Sequence, residues 1–360
     1  MDFTLSEEQT LIRDSFRRAL QHLVDLDNIR ESARTEEKTN EALWKALTEL
    51  GLPGVLIAED YGGMGLGLLD AILISEELGR AGASVPFAGS TVLASMIIST
   101  LGSRSQKEAW LPGLASGEKR IAVGVSVLFS NRKMENKLVF EKGKLNGGSS
   151  FLLDFAGAQG YLVSDRNRNF YLVEANAEGL SKRHFPSVDQ TRSVGHLDFK
   201  DVSAEPIPIE DSLQINQALN AARVVLAADS MGVSETLLEK SVDYSKERKQ
   251  FDRVIGSFQA VKHMCAEMTA DLQPCRALIW YAAYAYDHLP EEFDLNALLA
   301  KSHMDGVAQR IAKTATEVHG GMGFADLTGV HFWYKRANSN CATLGSPKHL
   351  REEAAKLQAL

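Results

Sequence analysis

Apolar residues recur at helical spacing through the first and last thirds of the chain and alternate only in the middle. Leu11, Ile12, Phe16, Leu20 and Leu23 line one face of a predicted helix. Ser6 and Gln9 stand at the spacing of a capping box at its start. Trp44, Leu47 and Leu50 predict a second helix, stopped by Gly51 and Pro53. Leu219, Ala222, Leu226, Val233, Leu237 and Val242 predict a long helix over Leu213 to Glu247, with Asp211 and Ser212 as its cap. Another begins near Ser257 and continues through Val261, Met264, Met268 and Leu272. From Glu118 to Pro208 the pattern turns to short runs that suit strands: Ile121–Phe129, Lys137–Phe140, Phe151–Phe155, Gly160–Ser164, Phe170–Val173 and His196–Phe199. Turn formers separate them at Asn146-Gly147-Gly148, Asp165–Asn169 and Gly179. The expected fold is mainly α with a middle β domain: a helical domain over 1–117, a small antiparallel β domain over 118–208, and a C-terminal four-helix bundle over 209–360.

Composition narrows the function more than the fold. A chain of 360 residues with 44% hydrophobic and 24% charged residues has the balance of a soluble globular protein. A net charge of −8 with no basic face argues against nucleic acid as a partner. Cys265, Cys275 and Cys341 form no close pair and no metal-ligand spacing, as expected of idle thiols in a reducing compartment. No apolar run approaches the ~20 residues of a membrane span, and Met1-Asp2-Phe3 begins no signal peptide. The reading is a cytoplasmic protein without a membrane partner.

Candidate chemistry gathers between the two long helices, in Glu247-Arg-Lys-Gln-Phe-Asp-Arg-Val-Ile-Gly-Ser-Phe-Gln259. A helix start offers free N–H groups and partial positive charge, which suits a phosphate-bearing ligand. Arg248 adds a permanent, bidentate cation and Phe251 a flat surface. The same residues also read as a helix hairpin with solvated charges. Glu317-Val-His-Gly-Gly-Met-Gly-Phe324 ends another helix at glycines able to take left-handed backbone angles. Glu59-Asp-Tyr-Gly-Gly-Met-Gly-Leu-Gly67 is glycine-rich, but no strand–loop–helix unit surrounds it, so it is not a dinucleotide loop.

The stretch from Arg248 to Gln259 resembles the FAD motif of the acyl-CoA dehydrogenase family, with Arg248, Phe251 and Gln259 matching. Glu76-Glu-Leu-Gly-Arg80 and Leu111-Pro-Gly-Leu-Ala-Ser-Gly117 are similar to landmarks of that family's helical N-terminal domain, and the likeness extends over nearly the whole chain. The resemblance implies that Arg248, Phe251 and Gln259 hold the pyrophosphate and adenosine part of an FAD whose flavin lies in a neighbouring subunit. It also places Glu317, Gly320 and Gly321 against that pyrophosphate. The family has Gln where Glu317 stands, and a carboxylate there repels a pyrophosphate unless it binds another group.

Departures from the family pattern bear on function. The hydroxyl-rich segment after the first strand reads Val127-Leu-Phe-Ser-Asn-Arg-Lys133 here. The family's Trp-x-Thr-Asn-Gly, which packs on the flavin, is replaced by Ser149-Ser-Phe-Leu-Leu-Asp154. The catalytic glutamate removes the α-proton of an acyl-CoA while the β-hydride passes to flavin. Its two known family positions correspond to Leu344 and Ala222, neither of which takes up a proton. Three explanations follow: a relocated carboxylate such as Asp326 or Glu135, a redox-inactive binding module, or the base-lacking subunit of a heteromeric α2β2 enzyme. Such enzymes occur in bacterial steroid side-chain degradation, and the third explanation accounts for the most features. It implies a catalytic partner subunit that binds most of the acyl-CoA, an electron acceptor for reduced FAD, and Arg223 as a buried structural cation.

Overall fold

The computed structural model describes residues 4–35, 40–129, 138–209 and 212–359. Helices fill the first third: α1 (Glu7–Leu23), α2 (Leu26–Arg34), α3 (Glu41–Glu49), α4 (Leu68–Ala81), α5 (Ser95–Leu101) and α6 (Arg104–Ala115). The capping box holds: Ser6 Oγ accepts from Gln9 N–H, and the Gln9 amide oxygen accepts from Ser6 N–H. Gly51 takes a φ of 83° after α3, ending the helix at the expected glycine. A π-helical stretch, Phe87–Ala94, precedes α5 and is wholly buried.

The middle of the chain forms β1 (Ile121–Gly124), β2 (Val139–Glu141), β3 (Lys144–Leu153), β4 (Gly160–Ser164), β5 (Phe170–Glu174), β6 (Leu180–His184), β7 (Val194–Ser203) and β8 (Glu205–Pro206). They make one sheet in the order β6-β7-β3-β1-β4-β5-β8, with β2 paired to β3. The expected antiparallel sheet has one parallel pair, β1 with β4. The connection after β3 passes over β1, so β4 runs opposite to β3 and therefore along β1. The predicted first strand stops at Gly124, and Ser126–Phe129 is a short 3-10 turn. Asn146-Gly147-Gly148, expected to be a turn, lies inside β3. The reversal sits earlier, at Lys142 and Gly143, both with positive φ in a two-residue hairpin loop. Gly147 instead marks a register break against β7, at a φ of 108° that a side chain would strain. Leu145, Leu152, Phe155, Tyr161, Val173, Leu197 and Phe199 form the apolar core of this sheet.

Beyond the sheet come α7 (Ser212–Glu247), the hairpin strands β9 (Lys249–Gln250) and β10 (Arg253–Val254), α8 (Gln259–His288), α9 (Pro290–His319), α10 (Val330–Ala342) and α11 (Pro347–Leu357). The expected cap residue Asp211 lies outside the described residues, as does the side chain of Ser212. Helix α9 is central and packs against α8, α10 and α11. Its interior carries charge as well as apolar groups. The fully buried Lys301 bonds Asp305 at 2.6 Å and the Asn340 carbonyl at 2.9 Å. Arg336 meets Asp229 at 2.6 and 2.9 Å, and Asn340 donates to Asp229 and Ser230. Each buried charge thus has an opposite charge and hydrogen bonds, the condition for tolerating it there.

The chain divides into two compact units. One comprises Met1–Ile29, Ile72–Ala83 and Arg223–Leu360; the other comprises Arg30–Ala71 and Ser84–Ala222. The first holds most of the helical bundle and the second holds the sheet.

Candidate cofactor site

Helix α7 ends at Glu247, and the Arg248 N–H still bonds the Tyr244 carbonyl at 2.9 Å. The chain then folds into the β9–β10 hairpin, whose turn residues Phe251 and Asp252 have φ of 53° and 61°. Two consecutive positive φ values define a type I′ turn, usually built with Asn and Gly. The Ile255 N–H returns to the Arg248 carbonyl at 2.7 Å and closes the loop. At Gly256 an added Cβ would stand 2.8 Å from the Ser245 carbonyl oxygen, so only glycine fits beside the end of α7. Helix α8 begins at Gln259, whose own N–H, with the next two, lies outside the helix's internal bonding.

Every side chain named from this motif faces outward. Arg248 and Gln259 are exposed, and Phe251 is 88% exposed. Phe251 meets Phe258 edge-on at 6.1 Å, and the Arg253 guanidinium covers Phe258 at 4.0 Å. Gln259 Nε2 lies 2.9 Å from His263 Nε2.

The second motif closes α9. Gly320 caps it at φ 57° and ψ −137°, and a Cβ at Gly320 or Gly321 would meet nothing within 4 Å. Gly323 differs: a Cβ there would come 2.7 Å from the Thr316 carbonyl oxygen. The exposed Glu317 has Lys313 at 3.8 Å, one turn back, as a partial counter-charge. The two motifs are neighbours because Tyr244 stacks on His319 at 4.6 Å. Neither ring was singled out from sequence, where a tyrosine and a histidine 75 positions apart carry no common signal. Burial holds His319 below the ordinary imidazole value, aided by Lys240 and opposed by its bond to the Ala315 carbonyl. The resulting surface has open glycine backbone, an exposed cation, an exposed ring and a helix start. That set fits the pyrophosphate and adenosine half of FAD.

The flavin half is another matter. Phe151, within the segment that stands in place of the family's Trp-x-Thr-Asn-Gly, has a φ of 58° and is 61% exposed, its ring 5.3 Å from Phe185. Asp154 is buried, accepting N–H bonds from Gly89 at 2.7 Å and Ser90 at 2.9 Å. Ser126 Oγ donates to the Ser150 carbonyl. These groups are spent on the protein itself. Residues 130–133 of the segment after β1 lie outside the described residues.

At the two positions that the sequence matches to a family base, Ala222 and Leu344, the side chains are apolar and buried. Ala222 is fully buried on α7, and Leu344 is 5% exposed with a φ of 58°. Arg223, 4% exposed, donates to the Leu344 carbonyl at 2.9 Å and pairs with Glu353 at 2.9 Å. Its expected place as a buried cation is therefore what the structure has. Glu353, not picked out from sequence, is also met by His349 at 3.1 Å. Asp326 is on the surface, bonded to His331 at 3.2 Å, and Glu135 lies outside the described residues. Among the described residues no group of His, Cys, Asp and Glu is set to hold a metal ion. No described helix is long and apolar enough to cross a membrane.

An N-terminal helical segment, a middle sheet and a C-terminal helical bundle make up the architecture of the acyl-CoA dehydrogenase fold. Residues 6–118 match the acyl-CoA dehydrogenase N-terminal domain and residues 213–357 the C-terminal domain. The chain belongs to the acyl-CoA dehydrogenase family, FAD-dependent oxidoreductases acting on CH–CH bonds. It is 26% identical over 358 residues to the acyl-CoA dehydrogenase IpdE2 of Mycolicibacterium smegmatis, covering 99% of each chain. A structure described as the Tcur3481–Tcur3483 steroid ACAD G363A variant is 28% identical, with a TM-score of 0.87 and 99% of each chain covered. The ChsE4–ChsE5 complex of Mycobacterium tuberculosis shares the fold at a TM-score of 0.90 and 24% identity, with 100% of this chain and 99% of that one covered.

Proposed function

We propose that this chain is the base-lacking subunit of a heteromeric α2β2 acyl-CoA dehydrogenase. One contrast supports the reading: Arg248, Phe251, Gln259 and Gly320 are exposed, while Ala222 and Leu344, matched to the family's base positions, are buried hydrocarbon. Arg248, Phe251, Gln259, Gly320 and Gly321 would hold the pyrophosphate and adenosine of an FAD whose flavin lies in the partner. Glu317, with Lys313 beside it, flanks that surface without adding a donor. Bound FAD supplies the hydride acceptor for forming a 2-enoyl-CoA, and the partner supplies the glutamate that takes the α-proton. This chain's part is to bind and to exclude water; Ala222 and Leu344 offer no proton acceptor. The three-domain division at residues 117 and 208 belongs to the same reading. So do a separate electron acceptor for reduced FAD and a CoA ester with a steroid side chain as substrate, the last supported by the steroid ACAD likeness.

Purified alone, the chain is expected to be nearly colourless; with its partner it should carry one flavin for each pair of unlike chains. A homomer that purifies yellow with a full complement of FAD sinks the proposal and favours a self-sufficient enzyme.

A further inference from the structure

The glycine turn that follows α9 carries more fastening than its own packing explains. Gly320 stands at φ 57° and ψ −137°, a backbone that favours glycine. Gly321 has no left-handed backbone, and a Cβ on it would meet nothing within 4 Å. Among the described residues nothing therefore requires glycine at 321, whereas the close approach of a ligand to the backbone would. Adjacent glycines also lose the most conformational freedom on being fixed. A ligand that finds them already fixed is spared that cost and binds more tightly.

The fixing is done by residues outside the glycine motif. The Thr328 hydroxyl lies 2.8 Å from the Met322 carbonyl oxygen and 3.2 Å from that of Ala325, and so closes the turn on itself. The Ala325 N–H adds a bond to the Met322 carbonyl at 3.1 Å. Lys240, one turn before Tyr244 on α7, reaches the far end. Its Nζ is 3.5 Å from the Thr328 carbonyl oxygen and 4.9 Å from the centroid of the Trp333 ring. That ring is anchored in turn, its Nε1–H donating to the Arg80 carbonyl at 3.0 Å. Lys240 is half-buried, and burial alone holds its ammonium below the ordinary lysine value. A cation placed against a carbonyl and an aromatic face, with no carboxylate to offset its lost hydration, is costly to keep for a plain surface turn. With the Tyr244–His319 stack at its start, the turn is thus tied at both ends to α7, the helix that leads into Arg248.

We propose that Thr328 and Lys240 are positioning residues for the cofactor, holding the Gly320–Gly321 backbone in the shape that receives the pyrophosphate. Both act through the turn: Thr328 sets its curvature, and Lys240 sets its distance from Arg248. The inference rests on the adenosine-side reading given under the proposed function and deepens it.

ADP, which carries the adenosine and pyrophosphate of FAD, is the probe. It is titrated into the full chain and followed by ligand-observed NMR, with amide hydrogen exchange over residues 320–329 as the second measurement. Thr328→Val keeps the shape and loses the hydroxyl; Lys240→Met keeps the length and loses the charge. Each should weaken ADP binding by about tenfold and speed exchange in the turn, with the melting temperature near that of the parent. Thr328→Ser restores the hydroxyl and should return both readings to the parental level. A tie that serves only the fold would move exchange and melting temperature and leave ADP affinity alone. Arg248→Ala separates the two readings, because it should weaken ADP without speeding exchange in the turn. Weaker binding in Arg248→Ala with parental affinity in Thr328→Val or Lys240→Met overturns this proposal and leaves the cofactor reading standing. No binding by the parent also overturns it. Undiminished binding in Arg248→Ala overturns the cofactor reading and the proposal with it. Should Lys240→Met fail to fold, Thr328→Val against Thr328→Ser decides alone.

Discussion

Tyr244 lies flat against His319, ring centroids 4.6 Å apart and planes 25° from parallel, joining the last turn of α7 to the last residue of α9. Arg248 follows Tyr244 by one turn and Gly320 follows His319 directly, so the stack sets the spacing of the two cofactor motifs. Aromatic pairs of this kind contribute about 0.5–1.5 kcal/mol beyond their burial. Tyr244→Leu should therefore destabilise the chain modestly and weaken FAD binding by the complex more than its stability loss alone explains. Equal flavin affinity in parent and variant means the stack has no part in positioning.

The same histidine gives a pH dependence of known sign. Burial lowers the His319 value in the folded chain, whereas the unfolded chain binds a proton near the ordinary value of about 6.5. Stability from this group is complete above that ordinary value and is lost as pH falls toward the lower folded value. Urea unfolding measured at a series of pH values should show this acid-side loss in the parent and a smaller one in His319→Phe. Parallel curves would assign the acid sensitivity to other groups.

Among the described residues the Arg248 side chain has no hydrogen-bond or ion-pair partner, and it stands exposed. Replacing it by Ala removes a charge-assisted contact to a pyrophosphate, on the order of 1.5–3 kcal/mol. FAD affinity of the complex should fall by about ten- to a hundredfold or more while the melting curve of the chain stays in place. Unchanged affinity, measured by flavin fluorescence, makes Arg248 a solvated helix-end charge.

The β9–β10 turn places Asp252 at a φ of 61°, where a side chain costs about 1–2 kcal/mol relative to the right-handed region. Asp tolerates that region better than most residues, so the gain from Asp252→Gly should be about 0.5–1 kcal/mol. Denaturant unfolding is the measure. A loss of stability would show that the Asp252 carboxylate bonds within the turn more strongly than its backbone is strained.

Much of this was legible in the sequence where one physical signal dominated. The capping box at Ser6, the stop at Gly51 and the long helices up to Glu247 and from Gln259 all follow from periodicity and caps. The β9–β10 hairpin was not legible, because Phe251 and Asp252 are not the residues a type I′ turn prefers. Asn146-Gly147-Gly148 misled for the opposite reason: strong turn residues were used for a register break inside a strand. The parallel pairing of β1 and β4 depends on which strands neighbour each other, which local pattern does not encode. At the site, Arg248 and the glycines were visible as motifs. Glu353, His319 and the Lys240–Thr328 tie depend on contacts between residues far apart.

Arg223 is buried and joins α7 to the segment after α10 through the Leu344 carbonyl and Glu353. Removing one partner of a buried pair typically costs about 3–5 kcal/mol. Glu353 retains partial access to water, so Arg223→Met should sit near the lower end, about 3 kcal/mol. A cost below about 1 kcal/mol, read from urea unfolding, would place this pair with surface ion pairs.

The last question is which subunit holds the base. On the proposed reading Leu344 and Ala222 take the two places of a family glutamate, and both are buried hydrocarbon. Activity of the complex should therefore survive changes at Asp326 and Glu353 that leave the fold intact. It should collapse when one glutamate of the partner is changed to Gln, which keeps the shape but accepts no proton. Leu344→Glu should give no second active site. The segment Ser149–Asp154 still lacks the family's flavin-packing motif on this reading, and Leu344, with left-handed backbone, is buried. A carboxylate placed there either stays protonated or destabilises the chain by a few kcal/mol, roughly the cost of burying an unpaired polar group. The assay is dehydrogenation of an acyl-CoA by the complex, followed as reduction of an electron acceptor. Full activity from this chain alone, or activity lost with FAD retained when one of its own carboxylates is changed, would put the base here.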